Sequence, residues 1–86
     1  MKIKIEKKFT KDTNKLSSEV QLTIKKFLEE LINADNLNQF DVKKMVGHKN
    51  AHRIRMGNYR IGIIDKGEYL SLVRVAKRDE IYKIFP

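Results

Sequence analysis

Arg53 and Arg55 precede a Gly57-Asn58 pair and Arg60 follows it, and these three side chains are the ones in this sequence best placed to do chemistry. A Gly-Asn pair between two apolar-rich segments suits a two-residue hairpin turn of type II′ or I′, and such a turn fixes which residues lie opposite each other. Met56 then faces Tyr59, Arg55 faces Arg60, Ile54 faces Ile61 and Arg53 faces Gly62. One side of the hairpin carries His52, Ile54, Met56, Tyr59, Ile61 and Ile63, apolar enough to lie on helices. The other carries Arg53, Arg55, Arg60 and Gly62. Two arginines directly across a ladder repel one another and stabilise nothing by themselves. Each offers a planar fork of N–H donors that grips phosphate oxygens at two points, where lysine is only a point charge. Gly62 is expected to leave the surface beside Arg53 open to a ligand. A merely solvated sheet face is the plain alternative, but three arginines on adjoining strands without an acidic neighbour favour a phosphate site.

The wider stretch from Val42 to Ile64 strengthens this reading. It holds six basic residues (Lys43, Lys44, Lys49, Arg53, Arg55 and Arg60), two histidines, and no Asp or Glu. Charge segregated in this way weakens the compact state unless a polyanion binds, and nucleic acid is the leading candidate. Near the end, Lys77-Arg78-Asp79-Glu80-Ile81-Tyr82 adds to it. With Asp79 capping a short helix over 79–85, Arg78 and Tyr82 sit about one turn apart and face the same way. Ile81, Ile84 and Phe85 then supply the packing side.

The elements that must hold these side chains are legible from periodicity. Residues 2–8 alternate as a half-buried strand. Thr10 is read as the cap of a short helix with Phe9 and Leu16 as its contacts, and Ser18 with Gln21 as a capping box for the next. Val20, Ile24, Phe27, Leu28, Leu31 and Ile32 form the apolar stripe of that second helix. The segment from Asn33 to Asn50 reads as irregular, with one helical turn. Ala51–Met56, Tyr59–Ile64 and Tyr69–Val75 read as strands joined by Gly57-Asn58 and Asp65-Lys66-Gly67-Glu68. The expected architecture is α+β: an N-terminal strand, a two-helix hairpin, an antiparallel meander and a short C-terminal helix, with the helices on one face of the sheet.

The chain has 86 residues, enough for one domain over 1–86, and a formal charge of +8. It has no cysteine, which excludes disulfides and thiolate metal sites and fits a cytoplasmic location. No metal-ligand spacing is present, and neither a metal nor another cofactor is expected. No apolar run has the length of a membrane span, and the N-terminal residues lack a signal-peptide pattern.

The run Lys44-Met-Val-Gly-His-Lys-Asn-Ala-His-Arg-Ile-Arg-Met-Gly-Asn-Tyr-Arg-Ile-Gly62, followed by Arg74-Val-Ala-Lys-Arg-Asp-Glu-Ile-Tyr82, resembles the RelE toxins of bacterial toxin–antitoxin systems, within the RelE/ParE superfamily. The order of strands and helices is similar along nearly the whole chain. RelE-type toxins cut messenger RNA in the ribosomal A site and arrest translation. The resemblance therefore implies a metal-independent endoribonuclease, with a cognate antitoxin and the ribosome with its mRNA and rRNA as partners, and no membrane. Arg53, Arg55, Arg60, Arg78 and Tyr82 fall on the family's functional positions. Lys43, Lys44, Lys49 and Lys77 are the expected RNA- or ribosome-binding lysines.

The residue types suit such a reaction. RNA cleaves itself once a 2′-hydroxyl is deprotonated and aligned on the adjacent phosphorus and the departing 5′-oxygen is protonated. Arg55 and Arg60 are assigned to the phosphate, and Arg78 to the leaving group as stabiliser or acid. Tyr82 orients or accepts the 2′-hydroxyl proton, or stacks on a base. The general base is the open point, because a guanidinium stays protonated and is a poor acceptor. His48 and His52 are of the type that titrates near neutrality, but His48 falls in a loop and His52 on the helix-facing side. Two other classes fit the same fold: a ParE-like inhibitor of DNA gyrase, and a non-catalytic RNA-binding relative.

Overall fold

A computed structural model describes residues 1–86. The elements in chain order are β1 (Ile3–Ile5), α1 (Lys7–Asn14), α2 (Ser18–Asn33), a 3₁₀ turn (Leu37–Gln39), β2 (Val42–Lys44), β3 (Ala51–Met56), β4 (Tyr59–Asp65), β5 (Leu70–Lys77) and α3 (Arg78–Ile84). The strands make one mixed sheet in the order β1-β5-β4-β3-β2, with β1 parallel to β5 and the other pairs antiparallel. The α+β architecture is the one expected. None of the three helices is long and apolar enough to cross a membrane.

The helical hairpin is built by side chains that close backbone ends. The carbonyl of Glu6, and not Thr10, begins α1, and Thr10 lies inside the helix donating its N–H to that carbonyl at 3.2 Å. The Glu6 carboxylate accepts from the buried Ser71 hydroxyl at 2.8 Å, so a polar group under the sheet is satisfied. The cap of α2 is Ser17, whose oxygen accepts from the Val20 N–H at 3.2 Å; Ser18 is already the first helical residue. Gln21 does not complete a capping box. It reaches back to the carbonyls of Thr13 and Leu16 at 3.1 and 3.0 Å and ties the end of α1 to the start of α2.

The hydrophobic face of this hairpin covers one side of the sheet. Phe9, Ile24, Phe27 and Leu31 pack on Ile54, Ile61, Ile63, Leu70, Leu72 and Val75. Ile32, expected on the same stripe, is half exposed, because a stripe of period 3.6 drifts off the contact line by the end of a 16-residue helix. On β5 the pairing slips by one residue: Gly62 pairs with Arg74 but Ile63 pairs with Leu72, leaving Val73 as a bulge. The extra residue inverts the alternation, which puts Leu70, Leu72 and Val75 on the helix side and turns Val73 and Ala76 to the opposite side.

That opposite side is where the sequence expectation needs correcting. The helix α3 does not join α1 and α2. Ile81 and Phe85 pack with Ala51 and Ala76 in a second, smaller cluster on the other face. The physical reason is the small side chains of Ala51, Gly62 and Ala76, which leave a shallow floor for a helix there. Its start is also one residue early, at Arg78, with Lys77 as the flanking residue and no side-chain cap from Asp79.

The β3–β4 hairpin has the register read from its turn: Met56 opposite Tyr59, Arg55 opposite Arg60, Ile54 opposite Ile61 and Arg53 opposite Gly62. Gly57 alone has a positive φ, 59°, and Asn58 does not, which selects type II′. Space is open around a side chain at Gly57. Gly57→Ala is therefore expected to cost about 1–2 kcal/mol through backbone strain alone, read as a lowered urea midpoint with an unchanged slope.

Candidate active site

Alternation along β3 and β4 turns Arg53, Arg55 and Arg60 away from the helical hairpin and onto the face that carries α3. Arg78 and Tyr82, four residues apart on α3, come down beside them. Arg53, Arg55, Arg60, Arg78 and Tyr82 line one cleft of about 300 Å³, joined by Lys43 and Asp41 on the β2 side. All five residues assigned to chemistry from the sequence are brought together. Of the four lysines assigned to RNA or ribosome contact, only Lys43 reaches the cleft. Lys44, one residue on, points off the other side of β2 and lies with Lys49 around the β2–β3 loop. Lys77 pairs with Tyr59 on the helix-facing side and lines a different groove. His48 is exposed in a loop and His52 is half-buried, and neither borders the cleft.

Each guanidinium is held, but loosely. Arg60 Nη1 donates to the carbonyls of Gly57 and Tyr59 at 2.8 and 2.9 Å, so the hairpin turn fixes one arm of the fork. Arg53 Nε donates to the Met45 thioether at 3.0 Å, and its guanidinium lies 4.5 Å from the centre of the Tyr82 ring. This stacking orients both groups without consuming positive charge. Arg55 stands 3.9 Å from Asp41 and Arg78 stands 3.9 Å from Asp79, with all four side chains largely in water. Ion pairs that long and that exposed hold little energy. The cleft therefore concentrates four guanidinium groups and one ammonium against a single carboxylate, and it can take an anion.

Two participants escaped the sequence reading. Asp41 sits one residue before the acid-free stretch, and Met45 belongs to a segment read as irregular, because β2 is too short to show a period. Asp41 is the only acidic group lining the cleft. Removing its charge in Asp41→Asn is expected to tighten binding of a phosphodiester dinucleotide about 2–5-fold, measured by calorimetric titration at low salt.

Gly62 departs from expectation. It does not leave open surface beside Arg53, because the Phe85 ring occupies the place where a side chain would be. The strongest ion pair in the molecule also lies elsewhere. Arg74 Nε and Nη2 grip both oxygens of Asp12 at 2.8 and 3.0 Å, and the Val75 N–H donates to Asp12 at 3.1 Å. Burial tends to raise the Asp12 pKa, but the Arg74 and Val75 hydrogen bonds and the charges of Arg74 and Lys15 outweigh it and hold the carboxyl below its ordinary value. The hydrogen bonds that Arg74 donates to Asp12 raise the Arg74 value in turn, against the opposing effect of burial. The groove beside this pair, about 440 Å³, is larger than the arginine cleft. Its charged pair is satisfied internally, by the Arg74 and Val75 donors on Asp12.

No family model matches the chain. Toxin RelE3 of Methanocaldococcus jannaschii is 41% identical over 88 aligned residues, covering the whole of both chains. The crystal structure of the RelB-RelE antitoxin-toxin complex from Methanococcus jannaschii contains a chain 38% identical, with a TM-score of 0.77 over 95% of this chain and 98% of that one. The toxin-antitoxin complex RelBE2 from Mycobacterium tuberculosis shares the fold at 18% identity, with a TM-score of 0.75 over 90% and 96% of the two chains. The bacterial origin implied by the resemblance is not carried over, since the relative matched over its full length is archaeal. Identity at this level across both complete chains, on the same mixed sheet, shows that the chain belongs to the RelE toxin family.

Proposed function

We propose that this protein is the toxin of a toxin–antitoxin pair and a metal-independent endoribonuclease that cleaves mRNA in the ribosomal A site, arresting translation in the cytoplasm. The observation that supports this most is the cleft itself: four arginines and a tyrosine converge beside only one carboxylate, on a RelE-family fold. Arg55 and Arg60 hold the scissile phosphate. Arg78 stabilises the negative charge that builds on the departing 5′-oxygen or delivers its proton. Tyr82 orients the 2′-hydroxyl, and Arg53, stacked on that ring, acts by charge.

The 2′-oxygen attacks phosphorus, the bond to the 5′-oxygen breaks, and the products are a 2′,3′-cyclic phosphate and a 5′-hydroxyl. No side chain of the cleft is a strong base, since its titratable lining consists of arginines, Lys43, Tyr82 and the Arg55-facing Asp41. The 2′-hydroxyl proton therefore passes to water or to a group of the ribosome, and alignment of the RNA there lowers the barrier that the cleft does not lower by base catalysis. The antitoxin partner follows from the RelB that accompanies RelE in related complexes. An acidic, amphipathic segment is the chemistry that complements a chain of charge +8.

Purified protein mixed with programmed ribosomes tests the reading. Message cut in the A-site codon, with no effect on gyrase supercoiling, is the expected result. Intact message with trapped gyrase–DNA complexes would transfer the protein to the ParE-like class, and binding without turnover to the non-catalytic class.

A further inference from the structure

We infer that Phe85, seated on Gly62, is a positioning residue that fixes the height of α3 over the sheet and thereby keeps Arg78 and Tyr82 within reach of the scissile phosphodiester. Its geometry stands alone, whereas its catalytic consequence rests on the nuclease reading.

A Cβ built on Gly62 would lie 2.5, 2.6 and 2.7 Å from Cγ, Cδ1 and Cδ2 of Phe85. Ordinary contact between carbons is about 3.5–4.0 Å, so the ring occupies the volume that any other residue at position 62 would need. Phe85 is buried and caps the C-terminus of α3, its N–H donating to the Ile81 carbonyl at 2.9 Å, and its ring packs with Ile81 over Ala51 and Ala76. Arg78 and Tyr82 repeat at the same four-residue interval on the neighbouring stripe of the helix. A shift at Phe85 is therefore passed directly to the cleft side.

The sheet ladder makes the coupling tighter. Arg53 and Gly62 are directly paired across β3 and β4. One member of the pair receives Phe85, and the other stacks its guanidinium on Tyr82. Two contacts from one cross-strand pair thus register α3 against the sheet. The backbone N–H of Arg78, donating to the Asn58 carbonyl at 3.0 Å, pins the other end of the helix to the hairpin turn. Catalysis is sensitive to such placement, since a misplacement of about 1 Å can cost about 10²-fold in rate.

The test uses the full chain in four forms: wild type, Gly62→Ala, the double variant Gly62→Ala with Phe85→Ala, and Phe85→Leu. Two quantities are read on each, the single-turnover cleavage rate on programmed ribosomes and the NMR ring-current shift that Tyr82 imposes on the Arg53 side-chain protons. Gly62→Ala is expected to slow cleavage about 10²-fold, with ribosome affinity within about threefold of wild type, and to abolish the ring-current shift. Adding Phe85→Ala to Gly62→Ala removes the Cγ, Cδ1 and Cδ2 atoms that the new methyl meets, and is expected to bring back part of the shift and to raise the rate about tenfold over Gly62→Ala alone.

An unchanged shift in Gly62→Ala overturns the inference, as does a lost shift with cleavage at the wild-type rate, or a double variant no better than the single one. If Gly62→Ala does not fold, Phe85→Leu alone decides, because it removes bulk instead of adding it. It is expected to weaken the shift and slow cleavage about tenfold, and no change in either overturns the inference. A wild-type protein that cuts nothing defeats the nuclease reading, while the shift still judges the seating of α3.

Discussion

Arg78→Ala is expected to slow single-turnover cleavage by about 10²–10³, the scale on which a single donor aimed at developing charge contributes. The Arg78 side chain has little structural role to lose. Its side chain is 71% exposed, and its one ionic neighbour is Asp79 at 3.9 Å. The link between α3 and the hairpin turn runs through the Arg78 backbone N–H, which alanine keeps. The substitution should therefore leave the melting temperature nearly unchanged while the rate collapses. Arg60→Ala is expected to lose a similar factor in rate, with a small stability cost of about 1 kcal/mol because Arg60 also bonds its own turn. Arg60→Lys separates fork from charge: it should recover only part of the loss, since an ammonium cannot hold two phosphate oxygens at fixed spacing. A pair of single alanine variants that each cut within about threefold of wild type would contradict the assigned roles.

The second large effect is on stability and falls far from the cleft. Asp12→Ala is expected to cost about 2–4 kcal/mol, because it strands the mostly buried Arg74 guanidinium and removes the acceptor of the Val75 N–H. In a domain of this size that lowers the melting point by roughly 10–25 °C. The same pair sets an acid limit. The Asp12 carboxyl is held below its ordinary value of 3.8 in the folded protein. Its contribution is therefore fully present above that ordinary value and is lost as pH falls through the lowered one. Arg74 is shifted upward, so its contribution is lost only at strongly alkaline pH. Denaturant titrations should show stability insensitive to this pair from neutrality down to about pH 5, then a decline that Asp12→Asn lacks. A parallel decline in wild type and variant would assign the acid sensitivity to other carboxylates.

The hairpin was legible because a two-residue turn and a period of two leave no freedom. Once Gly57-Asn58 is the turn, Arg53, Arg55 and Arg60 must share a face, and they do. The long stripe from Ile24 to Leu31 was legible for a similar reason, since its interval matches the helical repeat. What stayed hidden depends on contacts distant in the chain. β2 offers only Val42 as an apolar marker in three residues, so Asp41 could not be seen at the cleft. The bulge at Val73 has no local signature, and without it the placing of Val75 and Ala76 cannot be read.

Gly62 shows the limit most clearly. An unoccupied strand position reads equally well as room for a ligand or as room for the protein's own Phe85, and only the docking of α3 on that face decides between them. The lysines are spread over more than one surface. Charge density marked Lys43, Lys44, Lys49 and Lys77 together, but strand alternation sends Lys43 to the cleft and turns Lys44 and Lys77 away from it, while Lys49 lies in the β2–β3 loop.

The most direct test of the central claim, that these guanidinium groups serve a single self-cleaving phosphodiester, is made on ribosomes carrying a message with one 2′-deoxy sugar immediately 5′ to the scissile phosphate. The ordinary message should be cut to a 2′,3′-cyclic phosphate end, and the 2′-deoxy message should bind and remain whole. Cleavage of the 2′-deoxy message at the same bond, or a 5′-phosphate product from either message, would contradict the account.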